Sequence, residues 1–503
     1  MKYLLLLSGL LLSPFLRSPL FADKPNVIVI MADDMGWECV SAYRDLITKY
    51  NYPKANSGEK DHYSTPHIDK LATNGMRFDH GYSQPICTPS RVQIMTGIYN
   101  QRNYVKFGLL DPKVRTFGNV MKDAGYRTCI VGKWQLEGGF DGPKNFGFDE
   151  YCLWQLTRRP ARYPNPGMEV NGKEIDYPGK YGPDIASDYL CDFIERNKDR
   201  PFFGYYPMIL PHWPFEPTPD SEDWDPKSEG AETGNLTQKN PKYFREMVSY
   251  VDKIIGKIVA KLDEQKLTEE TLIIFTGDNG TAVSVTGVMN GREIKGGKGS
   301  TPDAGNHVPF IASWPGTIEA GTTTKAIVNF SDILPTVAQV AGAEIKHKID
   351  GISFLGHLKG GKAARQVSYS WYARNGGPAG KEFARNADWK LYSDGKFYNV
   401  YQDVMEKNPL SPGELSDKAR MIRTQLQKEL KRMEGTRTIF DLSKYQKPGA
   451  NQTKAPKSPD SVLCAGKYAG HLQGICRGSG GNFFWSFTQA LVKTNIQGKV
   501  MKR

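Results

Sequence analysis

The stretch Asn26-Val-Ile-Val-Ile-Met-Ala-Asp-Asp34 is a run of mainly apolar residues that ends at two carboxylates. A second stretch, Thr271-Leu-Ile-Ile-Phe-Thr-Gly-Asp-Asn279, repeats this pattern far along the chain. Continuous apolar runs of this length are typical of strands buried on both faces of a parallel sheet. The pattern therefore predicts two buried strands that each end in polar residues.

Shorter apolar runs at 128–132, 202–206 and 308–313 predict further strands of the same sheet. Between the strands, apolar residues with helical spacing are clearest over 243–262. Strands that alternate with helices predict an α/β fold with a large, mostly parallel sheet flanked by helices. In such folds ligands bind outside the carboxyl ends of the strands, where the two polar clusters lie.

The sequence changes in character after about residue 370. Two short strands are predicted at 389–392 and 396–400, joined by the turn Ser393-Asp394-Gly395, and a polar helix is expected near 413–434. These elements predict a smaller C-terminal α+β subdomain with an antiparallel sheet. We therefore expect a catalytic domain at 23–370, this subdomain at 371–440 and a weakly patterned tail at 441–503.

The composition is that of a globular enzyme with a basic surface. The chain has 503 residues, of which 39% are hydrophobic and 11% aromatic, and its formal net charge is +12. The charge has two interpretations, a solvated basic surface or an anionic partner such as nucleic acid, an anionic membrane or an anionic polysaccharide. No long Lys/Arg run marks a nucleic-acid face, so we expect no nucleic-acid partner.

Residues 1–22 are typical of an export signal peptide. Lys2 supplies the charged end, Leu4–Leu12 form a short apolar run, and Ala22 offers a small residue for cleavage. This run is too short to span a bilayer and no later segment is long enough, so we expect no integral membrane anchor. The mature protein is predicted to be periplasmic or secreted.

The cysteines are too sparse for a disulfide scaffold. There are seven, an odd number, so at least one is unpaired, and Cys87 is the candidate. Cys464 and Cys476 could pair in an oxidising compartment, but the sequence leaves that pairing open.

Cys87 is predicted to lie at a helix N-terminus. In Cys87-Thr-Pro-Ser-Arg91, Thr88 is a good N-cap, Pro89 suits the first turn, and Gly97 can end the helix. Backbone N–H groups and the helix dipole favour anions at such a position.

The same segment resembles a family signature. Cys-x-Pro-Ser-Arg followed by Thr-Gly is similar to the pattern of the formylglycine-dependent sulfatases, in the alkaline-phosphatase-like superfamily, and the resemblance covers most of residues 25–400. Further motifs follow in the family's order: Gly132-Lys133-Trp134, Pro211-His212-Trp213-Pro214, Gly277-Asp278-Asn279-Gly280, Lys298-Gly-Ser-Thr-Pro-Asp303 and Trp389-Lys390-Leu391. The resemblance implies an alkaline-phosphatase-like fold and hydrolysis of sulfate esters.

The polar residues at the two strand ends predict a calcium site. They present hard oxygen ligands, which suit Ca²⁺ better than zinc or copper, whereas Mg²⁺ prefers a stricter octahedron and more water. The resemblance implies that residue 87 completes the ligand set of Asp33, Asp34, Asp278 and Asn279.

The resemblance also implies that a formylglycine-generating or sulfatase-maturating enzyme oxidises Cys87 to formylglycine. An aldehyde hydrate carries two hydroxyl groups, so one can attack the sulfur while the other later expels sulfate. A serine or cysteine adduct would instead need water to attack sulfur again. The maturation enzyme is therefore a predicted partner.

The remaining roles follow from the resemblance. Arg91 would orient residue 87, and Lys133 and Lys298 would bind the sulfate oxygens. His212 would donate a proton or a hydrogen bond to the ester oxygen of the leaving group. Gln135 departs from the family, which usually has histidine there. Because glutamine cannot accept a proton near neutral pH, the proton acceptor for aldehyde regeneration is left open.

These observations predict an exported sulfatase that acts on a sulfated carbohydrate. Aromatic residues at Trp213 and 151–154 suit sugar stacking, and the basic charge suits an anionic chain. The alternatives are an arylsulfatase for small aryl sulfates and a phosphonate or phosphodiester hydrolase of the same superfamily. From a different class, Gln135 leaves open an inactive binding module, against which the intact Cys87–Arg91 motif and both polar clusters argue.

Overall fold

The computed structural model describes residues 24–157, 161–228, 230 and 241–445, together with short strands at 472–477, 483–487, 490–494 and 500–502. These residues divide into two compact units, Met1–Ile439 and Phe440–Arg503. The predicted signal peptide at 1–22 and Cys464 lie outside the described residues.

The strands, in chain order, are β1 (Asn26–Ala32), β2 (Gly75–Tyr82), β3 (Arg127–Lys133), β4 (Glu150–Trp154), β5 (Gly167–Val170), β6 (Lys173–Asp176), β7 (Phe202–Pro207), β8 (Thr271–Gly277), β9 (Thr286–Met289), β10 (Arg292–Lys295), β11 (His307–Ser313), β12 (Thr322–Asn329), β13 (Ser368–Tyr372), β14 (Lys381–Arg385), β15 (Trp389–Tyr392), β16 (Phe397–Asn399), β17 (Leu472–Arg477), β18 (Phe483–Phe487), β19 (Ala490–Thr494) and β20 (Val500–Lys502).

The α-helices are α1 (Pro66–Thr73), α2 (Cys87–Thr96), α3 (Asn100–Asn103), α4 (Phe117–Asp123), α5 (Gly142–Asn145), α6 (Gly182–Arg196), α7 (Pro241–Glu264), α8 (Asp303–Asn306), α9 (Ile333–Val340), α10 (Leu355–Leu358) and α11 (Asp417–Met433). Short 3-10 turns connect several of them.

A ten-stranded sheet forms the centre of the first unit, in the order β12-β2-β11-β8-β1-β7-β3-β4-β5-β6. Strands β8, β1, β7, β3 and β4 are parallel to one another. Strand β11 runs antiparallel to both of its neighbours, β8 and β2. The predicted α/β fold with a mostly parallel sheet is confirmed, and the predicted strands correspond to β1, β3, β7, β8 and β11.

Both faces of this sheet are buried. Ile28 and Ile30 of β1 belong to one apolar cluster, together with residues of α1, α6 and α7. Val27 and Val29 belong to the cluster on the opposite face, together with residues of α2, α4 and α9. Because successive side chains of a strand point to opposite faces, an uninterrupted apolar run is what a strand covered on both sides requires. Helix α7 extends the predicted helix at 243–262 by two residues at each end.

Residues 368–399 form a separate four-stranded antiparallel sheet, β13-β14-β15-β16. The predicted hairpin is β15–β16, with its turn at Gly395, whose φ of 89° suits glycine. Helix α11, the polar helix predicted near 413–434, packs on this sheet through residues such as Leu426 and Leu391. This sheet and helix belong to the first compact unit.

The second unit contains structure that the sequence pattern did not predict. Strands β17 to β20 form a four-stranded antiparallel sheet in the segment expected to be a weakly patterned tail. Short strands among glycine and polar residues give little periodic signal, because their stability depends on the partner strands.

Among the described residues, no helix combines the length and the apolar character needed to cross a membrane.

Candidate functional site

Two polar clusters meet at the carboxyl edge of the large sheet. Asp33 and Asp34 follow β1, and Asp278 and Asn279 follow β8, its parallel neighbour. The Asp278 N–H donates to the Ala32 carbonyl over 2.8 Å, and the Asp34 N–H donates to the Asp278 carboxylate over 2.9 Å. The register of two adjacent strands thus brings the four side chains together, as the sequence predicted.

All four of these side chains are buried, and some of their oxygens have no protein partner. Asp33 Oδ1 and Asn279 Oδ1 make no hydrogen bond within the described part of the chain. Buried lone pairs without a donor are costly unless a cation or water meets them. Asp33, Asp34 and His212 can each also offer one atom, all within 4.8 Å of one another. This donor set, rich in carboxylate oxygens, fits a hard cation such as Ca²⁺.

Three basic side chains surround the carboxylates. Lys133 Nζ lies 2.5 Å from Asp33 Oδ2, and Lys298 Nζ lies 2.6 Å from Asp34 Oδ2. Arg91 Nη2 lies 3.3 Å from Asp278 Oδ2. The structure therefore brings the three predicted basic residues to the site.

Burial and the neighbouring charges together shift the pKa values of two carboxyls in opposite directions. Burial raises the pKa of Asp278 well above its usual range, and the neighbouring Asp33 adds to that rise. Burial acts in the same sense on Asp33, but the nearby basic groups, Lys133 above all, outweigh it and lower the pKa of that carboxyl overall. Asp33 is therefore ionised at neutral pH.

Cys87 is the first residue of α2 and is almost fully buried. Burial raises the pKa of its thiol, although Lys133 and Lys298 oppose that rise. Gly97 ends the helix as predicted, with a φ of 67°. The predicted N-cap was wrong: Ile86 precedes the helix without a side-chain cap, and the Thr88 hydroxyl accepts a hydrogen bond from the Gly108 N–H instead. The helix starts two residues earlier than a capping threonine at position 88 would place it.

His212 lies in the loop after β7 and approaches the same carboxylates. Its Nε2 atom is 3.7 Å from Asp34 Oδ2. On the other side of the ring, Nδ1 lies 3.0 Å from an Arg162 guanidinium nitrogen and 2.5 Å from the Trp213 carbonyl oxygen. Burial, reinforced by the charges of Lys298 and Lys133, lowers the pKa of His212 well below its ordinary value. The ring is therefore neutral at neutral pH, and Nε2 is the atom that faces the site.

Gln135 follows Lys133 by two residues, just beyond the end of β3. Its backbone adopts a φ of 62°, which is uncommon for a residue with a side chain. Its buried Oε1 atom has no hydrogen-bond partner among the described residues. The glutamine therefore has an acceptor that is free for another group.

Two residues near the site have no motif that would have identified them. Tyr372, at the end of β13, packs with Ile86 and Cys87, although 285 positions separate it from the cysteine in the sequence. Arg162 lies over the Trp154 ring at 4.1 Å and contacts His212.

One prediction was wrong: residues 151–154 form the buried strand β4, so they offer no exposed surface for a sugar. Trp213 is 38% exposed and remains available.

Comparison with known protein families supports the assignment that the site residues suggest. The family model described as "Sulfatase" matches residues 25–343, and "N-sulphoglucosamine sulphohydrolase, C-terminal" matches residues 302–436. The chain belongs to the sulfatase family. It is a sulfuric ester hydrolase of the alkaline-phosphatase-like superfamily, as the motifs around Cys87 implied.

Individual relatives support this assignment. An arylsulfatase of Hemicentrotus pulcherrimus is 30% identical over 406 residues, covering 74% of this chain and 68% of the relative. The N-acetylgalactosamine-6-sulfatase of Canis lupus familiaris is 28% identical over 384 residues, covering 68% and 67%. A solved structure of Ps i-CgsB in complex with k-i-k-neocarrahexaose is 25% identical, with a TM-score of 0.66, and the match covers 84% of this chain and 96% of that one.

Proposed function

We propose that this sulfatase removes sulfate from a sulfated carbohydrate, with residue 87 as the formylglycine nucleophile and Ca²⁺ as the bound cation. The observation that carries the proposal is the convergence at one sheet edge. Cys87 opens α2 close enough to Lys133, Lys298, Asp33 and Asp278 that all four affect the pKa of its buried thiol. A nucleophile, anion-binding ammonium groups and a carboxylate cluster are the parts that sulfate transfer requires.

The cation would be held by Asp33, Asp34, Asp278 and Asn279, with residue 87 as a further ligand. When bound, Ca²⁺ would supply positive charge that stabilises the negative charge of the sulfate and of the nucleophilic oxygen. Asp33 Oδ1 and Asn279 Oδ1, which have no hydrogen-bond partner among the described residues, support this assignment. The formylglycine, formed by a maturation enzyme, supplies the paired hydroxyl groups for attack and release.

The protein side chains then act on the substrate. Lys133, which is buried, and Lys298, which is half-buried, carry ammonium groups at the site and would bind the sulfate oxygens, where negative charge increases during transfer. Neutral His212 presents Nε2 to the site and would hydrogen-bond the ester oxygen of the leaving group. Arg91, fully buried beside Asp278, would hold residue 87 and the carboxylates in a fixed arrangement.

A carbohydrate is the favoured leaving group. Trp213, next to His212, exposes an aromatic face, and Tyr372 packs beside Cys87. The exposed Trp213 ring suits stacking on a sugar ring, and the net charge of +12 suits an anionic chain. A relative that acts on a sulfated amino sugar and a solved complex with an oligosaccharide point in the same direction. With the predicted signal peptide, we propose action in the periplasm or outside the cell.

An aryl sulfate is the second candidate substrate, because a relative of 30% identity is an arylsulfatase. A substrate panel separates the two. Protein co-produced with a formylglycine-generating enzyme is assayed for released sulfate on sulfated mono- and oligosaccharides, 4-nitrophenyl sulfate, and a phosphonate monoester. We expect the highest kcat/KM on a sulfated saccharide and none with Cys87→Ala. A preference for the aryl sulfate or the phosphonate would contradict the carbohydrate proposal.

A further inference from the structure

The loop of residues 296–306, here called the Lys298 loop, is hydrogen-bonded to the segment before Cys87 and to the segment around Asn279. The Lys298 N–H donates to the Thr281 carbonyl over 3.0 Å, and the Gly299 N–H donates to the Pro85 carbonyl over 2.6 Å, two residues before Cys87. The Gly280 N–H, next to Asn279, donates to the Gly305 carbonyl over 2.9 Å. A shift of this loop would therefore move Lys298 relative to the carboxylates.

The small sheet β13–β16 holds the opposite side of the Lys298 loop. Lys390 of β15 donates to the Thr301 carbonyl, and the hydroxyl groups of Tyr392 and Thr301 are hydrogen-bonded with 3.0 Å between their oxygens. Glu406 accepts from Lys390 over 2.8 Å and from the Tyr392 hydroxyl. Thr301 is thus held by two side chains that share one buried carboxylate.

A second anchor lies two residues further along the loop. Arg385 of β14 forms an ion pair with Asp303, and both side chains are fully buried. Burial raises the pKa of Asp303, but the charges of Arg385 and Lys390 outweigh it and lower that pKa overall, so the carboxylate remains ionised. Apolar residues could fill this space at no greater cost in stability. What a buried, hydrogen-bonded ion pair adds is a fixed geometry between the sheet and the loop.

We propose that Lys390, Tyr392 and Arg385 are positioning residues that hold Lys298 where it binds the sulfate ester. The proposal rests on the proposed role of Lys298 and extends it to the small sheet. In the described part of the chain, none of the three side chains makes a hydrogen bond or ion pair to the carboxylate cluster; they act through Thr301 and Asp303. The C-terminal sheet therefore helps to build the active site.

The test uses Tyr392→Phe, which removes one hydroxyl and preserves the shape of the core. Losing the bonds of this hydroxyl to Thr301 and Glu406 should lower kcat/KM by about 3- to 10-fold on the best sulfate ester found. In a Lys298→Ala background the same change should have no further effect, because the residue being positioned is gone. Tyr398→Phe is the control: Tyr398 lies on the adjacent strand β16, and its hydroxyl makes no hydrogen bond to the Lys298 loop among the described residues.

Hydrogen–deuterium exchange tests the anchor without relying on turnover. The Lys298 and Gly299 amides should exchange faster in Tyr392→Phe than in the parent, and Tyr398→Phe should match the parent. Unchanged exchange in Tyr392→Phe, or an equal loss of kcat/KM with and without Lys298, would overturn the positioning role. If the parent shows no sulfate release but the exchange rates change as expected, the proposed function fails while the anchor stands.

Discussion

Gln135 is the residue at which this site departs most from the pattern expected from its motifs. A side-chain amide can donate and accept hydrogen bonds, but it does not take up a proton near neutral pH. Its Oε1 atom is buried and without a partner among the described residues. We propose that the glutamine orients a hydroxyl group at residue 87 by hydrogen bonding, whereas another group or a water molecule takes the proton.

This gives a kinetic prediction. General-base catalysis contributes about 10²- to 10⁴-fold, so the step that releases sulfate should be slower than cleavage of the ester. Rapid-quench measurements should show a burst of desulfated product followed by a slower steady phase. Gln135→His should reduce the burst. A linear time course from the first turnover would show that Gln135 does not limit the reaction.

The carboxylate cluster gives a prediction about metal content. Asp278→Ala and Asp34→Ala should each lose bound calcium and activity together, because each removes a hard oxygen ligand from a buried site. Elemental analysis of the purified proteins measures the calcium directly. Asp394→Asn, an exposed carboxylate in the β15–β16 turn, is the matched control and should keep both. Stoichiometric zinc, with activity restored by zinc alone, would contradict the calcium assignment.

At the scale of elements, the sequence predicted the strands better than the contacts between distant segments. The uninterrupted apolar runs of β1 and β8 identify buried parallel strands, and their polar ends identify the edge where the site lies. Residues 151–154 were misinterpreted because a short aromatic run does not distinguish an exposed loop from the buried strand β4. Tyr372 and Arg162 reach the site only through the packing of distant elements, which leaves no local pattern in the sequence.

The start of the buried helix α2 could not be predicted from N-cap preferences. Threonine before proline usually caps a helix, yet Thr88 lies within the first turn. Its hydroxyl bonds a neighbouring segment instead, and the N-terminus begins at Cys87 itself. The backbone of Cys87, the proposed nucleophile, is thereby part of the helix, which fixes its direction more firmly than a loop would.

A buried histidine is expected to make the stability of the whole molecule depend on pH. His307, at the start of β11, is fully buried, and its Nε2 atom lies 2.9 Å from the Asp79 carbonyl oxygen. Burial lowers its pKa from an ordinary value of 6.5 to about 4, although Asp303 opposes that shift. The folded protein therefore keeps His307 neutral at a pH where the unfolded chain binds a proton.

The sign of the resulting pH dependence follows from linkage. Between pH 6.5 and about 4 the unfolded state holds more protons at this residue, so the free energy of unfolding falls as the pH falls. The total effect is about 3 kcal/mol, from 1.36 kcal/mol per pKa unit. His307→Gln should flatten the decrease, measured as urea midpoints from pH 7 to 4.5. Parallel profiles for parent and variant would contradict this account.

For the whole molecule, the most direct measurement combines the chemistry of residue 87 with turnover. Samples that differ in exposure to the maturation enzyme are analysed by mass spectrometry of the tryptic peptide containing residue 87, and the same samples are assayed for sulfate release. Sulfate release should rise in proportion to the fraction of aldehyde, and Cys87→Ala should fold with an unchanged melting temperature but release none. Full activity with an unmodified thiol, or parental activity in Cys87→Ala, would contradict the account.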